Sequence, residues 1–356
     1  MALNLSPQAA DTSVYEGEGG GYYAWTPSNF PVLAQLAVGA GKLVLRPRGF
    51  ALPHYANSFK IGYVVQGTCT VGLLQPNNRQ ETVVKVREGD AIPVPMGSIS
   101  WWFNGGDSDM TIIFLGETKQ SYNPGQFDYF FLTGALGALG AFSTEFTSKL
   151  YNLDQPESKK LAKSQTAALI LKLGEEISMP DQSNCHDREY VANLLDLIRS
   201  DKSCCPKPVA RADVTADNFG LLEKIGLSAS LVRLGPNSVL GPSYSTDGST
   251  RVIYVLKGGG RVQVVGLNGS LALDDDVREE HVLVVPRFFA VALFAGEKGM
   301  EFYAVTTSSR PEEGELVGIR SAWTGLSSPV LQASLNVSPE FVKIFKSRNE
   351  EDKSSI

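Results

Sequence analysis

The chain has 356 residues, 43% hydrophobic and 20% charged, with a formal net charge of -6. That length exceeds one ordinary core and points to about two domains with enough apolar material to bury. The acidic balance, with no basic stripe and no interleaving of basic with aromatic residues, argues against nucleic acid as a partner. No apolar run is long enough for a helix to span a bilayer.

The opening stretch "MALNLSPQAADTSVYEG" has neither a basic n-region nor an apolar h-region, so the expected location is cytoplasmic. Four cysteines in a chain of this size do not make a disulfide framework. In that compartment the sequons at Asn268 and Asn336 carry no expectation of a glycan.

Through both halves of the chain, segments of four to eight residues rich in Val, Ile, Tyr and Phe alternate with Gly, Pro and Asn/Asp punctuation, which is the pattern of strands. "NNRQ" from Asn77 and "GLNGS" from Gly266 read as turns between them. Many short strands without intervening helices favour an all-β closed sheet or jelly roll.

Helical spacing follows: "FSTEFTSKLYNLDQPESKKLAKSQ" from Phe142 sets Phe146, Leu150, Leu153 and Leu161 on one side, with starts expected at Ser143 and Asp154. "SSPVLQASLNVSPEFVKIF" from Ser327 is its counterpart near the end of the chain. Short amphipathic helices of this kind need a cover, and a neighbouring domain or subunit supplies one. Residues 179–214 are polar and irregular apart from the helix-like "EYVANLLDLIRS" and read as an inter-domain connection. The role of Cys185, Cys204 and Cys205 there is open. Adjacent cysteines do not easily face one zinc ion, so surface thiols are the plain reading.

The chain also repeats itself. Tyr63 and Tyr254 are 191 positions apart, as are Gly67 and Gly258, and Pro95 and Pro286. Two separated segments, "IGYVVQG" with "VIYVLKG" and "REGDAIPVP" with "REEHVLVVP", hold that one offset. The expected organisation is therefore a first barrel with its helical arm over 1–178, a connection over 179–214, and a second barrel with its arm over 215–356.

The segments "LPHYANSFKIGYVVQG", "VLVVPRFFAVALF" and "VIYVLKGGGRVQVVGLNG", with the arm-like "GAFSTEFTSKLYNLDQ" and "LVGIRSAWTGLSSPVLQASLNVSPE", resemble the cupin superfamily. They look most like the plant bicupins related to legumin-type (11S) seed storage globulins. The resemblance implies two tandem jelly-roll β-barrels with helical arms, a nutrient-reservoir-like role without catalysis, and self-association into trimers through the arms. Two departures mark this chain: no signal segment is visible, and "TADNFGLLEKIG" has Asn218-Phe219 where that family carries a processed Asn-Gly bond.

Cupin enzymes hold a metal with two histidines two residues apart, a carboxylate and a later histidine, because strand alternation points such side chains inward together. In the first copy only His54 stands at such a place; Ala56, Lys60 and Ser100 occupy the others. In the second copy the offset gives Ser245 (or Tyr244), Asp247, Arg251 and Val291. No metal and no cofactor is therefore expected, and His281 reads as a surface or turn residue. His54 is left with a hydrogen bond inside the barrel or a place in the wall of a small anion pocket. A metal-free barrel still has a mouth, and His54, Tyr55, Lys60, Ser100 and Trp102 are its candidate lining, suited to a small carboxylate or phenolic ligand. The plain alternative for Trp101, Trp102 and Phe103 is core packing. "PRFFAV" predicts a filled interior in the second barrel.

Overall fold

The computed structural model describes residues 3–180, 187–200 and 208–350, so Cys185, His186, Cys204 and Cys205 lie outside the described residues. In the first barrel, eleven strands follow in chain order: β1 Thr12–Gly17, β2 Gly20–Ala24, β3 Val38–Leu45, β4 Gly49–Ala56, β5 Phe59–Gln66, β6 Thr68–Leu74, β7 Thr82–Arg87, β8 Asp90–Val94, β9 Ile99–Phe103, β10 Met110–Glu117 and β11 Tyr129–Phe131. Two short ones come later, β12 Ile170–Lys172 and β13 Ala192–Asn193. One sheet has the order β1-β2-β3-β10-β5-β8-β13 and the other β11-β4-β9-β6-β7, with β12 also on β4. All these pairings are antiparallel. Leu43, Val64, Ile92 and Ile112 of the first sheet meet Val71, Leu73 and Trp102 of the second in one core. Each such burial contributes about 1.5–3 kcal/mol.

The second barrel uses β14 Val209–Val214, β15 Ser228–Leu234, β16 Val239–Ser245, β17 Arg251–Val265, β18 Leu271–Arg278, β19 Val282–Val285, β20 Ala290–Thr306 and β21 Glu313–Glu315. β17 and β20, of 15 and 17 residues, each run through what two strands form in the first barrel. The bend in β17 is visible as register breaks against β20 on either side of Gly258. Gly258 has φ +71, and a Cβ there would lie 2.2 Å from the carbonyl oxygen of Gly299. Gly67, its counterpart between β5 and β6, has φ +79. The glycine that marks the repeat is thus the point where the chain leaves one layer for the other, in a conformation that side chains resist.

The arms form as expected. Helix Thr144–Tyr151 starts at Ser143, whose side chain accepts from Phe146 N–H. Helix Gln155–Lys163 opens with a reciprocal capping box between Asp154 and Glu157. The second arm repeats the plan with Ser328–Leu335 and Pro339–Glu350, and Asn152 and Asn336 end the equivalent helices in the left-handed region.

One expectation is revised. Strands are not unbroken before the arms: "TPSNFPVLAQLAVGA" and "TADNFGLLEKIGLSA" are a further repeat at offset 189, each with a short helix, Val32–Gln35 and Leu221–Ile225, that buries Phe30 or Phe219. Between β11 and the first arm, Gly134–Phe142 contains one helical turn, Ala138–Ala141. Within residues 179–214, β13 extends β8 and β14 pairs with β15, backbone matches that polar composition does not advertise. By packing, the described chain forms two compact units. One unit takes in Ala10–Asp196 and Ala216–Leu227; the other takes in residues up to Ala9, Leu197–Thr215 and the chain from Ser228. In the latter, Gln8 and Val282 exchange backbone hydrogen bonds of 3.0 and 2.7 Å.

Gly258→Ala is expected to lower stability by about 3 kcal/mol, since positive φ and backbone overlap act together. Gly269→Ala, at φ +68 with nothing within 4 Å of the added carbon, is expected to cost only about 1 kcal/mol. Urea midpoints of the two variants, followed by circular dichroism, check the difference.

Candidate functional site

Strand alternation sorts the candidate residues before any chemistry does. Along β4, His54 turns inward and is 8% exposed, while Tyr55 turns outward at 37% and stacks on Phe130 at 5.1 Å and 10°. Tyr55 is therefore not part of the barrel interior. Ser100, opposite His54 on β9, is buried and accepts a hydrogen bond from Trp102 Nε1 at 3.3 Å, beside the cavity rather than lining it. His54, Lys60 and Trp102 are the three candidates brought together around one cavity of about 50 Å³. On the same measure one water needs roughly 10–15 Å³. Trp102 is also core, as the plain alternative had it; Trp101 packs elsewhere and donates to Glu81 at 2.6 Å.

Lys60 defines this space. It is 2% exposed, and its Nζ lies 4.1 Å from the ring centre of Tyr129, 5.2 Å from Phe114 and 5.4 Å from Phe127. Among the described residues its ammonium makes no hydrogen bond and no ion pair. Facing rings attract a desolvated cation by about 2 kcal/mol, less than the cost of removing it from water. Burial accordingly pulls the amine down to about 7.

His54 responds to the same surroundings: burial first, then the positive Lys60, lower its ring to about 3, so the imidazole is neutral. Its Nδ1 faces the Leu52 carbonyl at 2.7 Å, which requires the proton on that nitrogen and leaves Nε2 as an acceptor. Tyr22 from β2 and Tyr129 from β11 join hydroxyls at 2.7 Å, and burial holds both phenols above their ordinary range. Leu43, Ala51, Phe131, Leu169 and Ile170 complete an apolar wall. Sequence reading missed Tyr22, Phe114, Phe127 and Tyr129. Tyr129 lies beyond the repeated segments, and no local pattern announces that β11 crosses beside β4.

Among the described residues no three His, Cys, Asp or Glu side chains gather to hold a metal. One imidazole nitrogen beside a lysine is a poor donor set for a transition metal.

The second barrel answers the same problem differently, and its register revises the expected correspondence. Phe50–Phe103, Ala51–Trp102 and His54–Ser100 are the β4–β9 rungs; Val239–Phe294, Leu240–Leu293 and Ser243–Val291 are those of β16–β20. The second copy carries two extra residues after this strand, so the offset along it is 189 and Ser243, not Ser245 or Tyr244, stands at the place of His54. By the same ladder Glu313, opposite Ser245, stands where Tyr129 stands opposite Ala56. Arg251 pairs with Val285 as Lys60 pairs with Val94. Glu313 then accepts from Arg251, and from Arg211 at 3.0 Å. Burial alone would raise the Glu313 carboxyl, but the two guanidiniums outweigh it and hold it below its ordinary value. The pocket beside Arg251 measures only about 10 Å³, with Phe289 and Val291 in its wall, in keeping with the filled interior that "PRFFAV" predicts. His281 sits at the turn after Arg278 and accepts from its Nε at 2.9 Å.

Lys60→Met is expected to stabilise the first barrel. The folded chain releases the Lys60 proton near pH 7 and the unfolded chain near 10.5, so wild-type stability rises with pH between them, by up to about 1.4 kcal/mol per unit. The gain in the methionine variant is therefore largest at pH 7 and below and fades toward pH 10, which urea titrations across that range would show. Glu313→Gln is expected to destabilise the second barrel by about 1–2 kcal/mol, because the partly buried Arg251 loses its carboxylate while Arg211 keeps Asp213 at 2.8 Å, and a thermal melt checks it.

The chain matches the cupin family over residues 4–159 and 207–343. It is 23% identical to the 11S globulin seed storage protein 2 of Sesamum indicum, over 86% of this chain and 81% of that one. The crystal structure of pumpkin seed globulin superposes with a TM-score of 0.88 at 24% identity, covering 98% of this chain and 97% of its own. The coconut allergen cocosin gives 0.88 at 25%, with the same coverage. Since the match runs through both barrels, the chain belongs to the cupin family, as a two-barrel member of legumin type.

Proposed function

We propose that the protein is a non-enzymatic, metal-free reservoir bicupin, related in role to the seed storage globulins it resembles. The observation that carries this reading is the composition of the ligand positions: Ala56, Lys60 and Ser100 in one barrel, and Ser243, Ser245, Arg251 and Val291 in the other, within an otherwise complete double-barrel frame. A frame kept without its metal donors suits stable bulk rather than turnover. The protein is expected to accumulate in maturing seed and to decline on germination, followed by quantitative immunoblotting. Constant low levels together with stoichiometric bound metal would sink the reading.

Self-association belongs to the same proposal. Both arms leave apolar side chains on the outside: Phe146 and Leu150 are 62% and 64% exposed, Phe341 and Ile344 50% and 48%. Paired complementary surfaces of this kind close into rings, and a trimer through the arms is the proposed assembly. A cytoplasmic location is proposed as well, on sparing use of cysteine; Cys69 is buried with a free thiol. Recovery in a vacuolar fraction would contradict that location.

The double variant Leu150→Glu with Phe341→Glu is expected to sediment as a folded monomer where the parent sediments as a trimer. Sedimentation velocity beside circular dichroism reads both, and an unchanged sedimentation coefficient would remove the arms from the interface.

A further inference from the structure

The two barrels are copies, and a cation stands at the same rung in each, Lys60 buried and Arg251 partly so. In the second barrel the chain neutralises it: Glu313 on β21 pairs with Arg251. In the first, the rung of Glu313 is held by Tyr129, and the Lys60 ammonium, all but completely buried, faces the cavity with rings for neighbours and no anion. A buried cation without an anion is the costly arrangement, and the cavity lies where that anion would sit. The other polar groups agree. Between the Tyr22 and Tyr129 hydroxyls one hydrogen serves their mutual bond, and the second has no acceptor among the described residues. An ammonium and a phenolic O–H make a donor set for an anion, and the rest of the wall, including Leu43, Trp102 and Phe131, is apolar.

We propose that the first barrel binds a small monocarboxylate with an apolar, single-ring or short-chain body, whose carboxylate takes beside Lys60 the place that Glu313 takes beside Arg251. This extends beyond the reservoir role and is independent of it. The carboxylate accepts from Nζ and from the free tyrosine hydroxyl, and the body lies against Trp102 and Phe131. The titratable groups facing Nζ are His54 from β4, Tyr22 from β2 and Tyr129 from β11, all neutral near pH 7; Phe114 from β10 and Phe127 carry no charge. Lys60 is therefore the group that changes charge on binding. Above pH 7, where the empty site holds a largely neutral amine, the ligand brings a proton with it. Affinity then falls by up to about tenfold per pH unit from pH 8 to 10.

The test is isothermal titration calorimetry on the full chain with benzoate, phenylacetate and hexanoate, and with benzamide and phenol as uncharged probes. At least one carboxylate is expected to bind one per chain, roughly tenfold or more tighter than benzamide or phenol. At pH 8.5, in buffers of different ionisation enthalpy, close to one proton is taken up. Lys60→Met, folded by circular dichroism, is expected to lose this binding, and Tyr55→Ala, altered on the outer face, to keep it. The proposal is overturned if no carboxylate binds at pH 7, if an uncharged probe binds as tightly, if no proton is taken up at pH 8.5, or if Lys60→Met binds as the parent does.

Discussion

A strand in a sheet must send successive side chains to opposite faces, and nearly everything specific about this protein follows from that constraint. It puts His54 inside and Tyr55 outside, one residue apart, and it aims Lys60 into the first barrel although lysine belongs in water. Register does the rest. Because the pairing of β11 with β4 is fixed, Tyr129 arrives over the Lys60 ammonium, and because β21 pairs with β16 two residues out of step with the sequence offset, a carboxylate arrives over Arg251.

The duplicated cation shows how two copies of one frame settle the same electrostatic difficulty. Arginine with glutamate forms a paired, hydrogen-bonded group whose geometry suits a tight interior, and little space remains around it. Lysine among rings has no fixed partner. It sheds its proton near neutrality, and a cavity persists because aromatic faces cannot close on the ammonium as a carboxylate does. The same residues make a poor setting for a metal: where a metal needs several convergent donors, the first-barrel cavity offers one imidazole nitrogen in the field of Lys60.

The periphery follows local rules more than tertiary ones. Serine and aspartate cap the arm helices, asparagine ends them in the left-handed region, and glycines hold the turns where strands change layers. These residues determine where elements start and stop, and they leave the outward faces of the arms apolar. The reservoir reading rests on the ligand positions without metal donors, within a double-barrel frame whose arms keep apolar outer faces.

The sequence by itself determined the duplication, the all-β frame, the arm helices with their caps, and the loss of metal donors, because each rests on local pattern: period two, period 3.6, turn residues and residue identity at marked positions. The resemblance to cupins, together with strand alternation, also put His54, Lys60 and Trp102 among the candidate lining of one barrel mouth. Only the tertiary structure decided that Tyr55 faces away, that Ser100 supports Trp102 instead of lining the cavity, and that Tyr22 and Tyr129 complete the site. It alone revealed that Glu313 is the counterpart of Tyr129. Those facts depend on which rung of which ladder two distant segments share, and a one-residue change of register reverses every side chain, so nothing local in the chain records them.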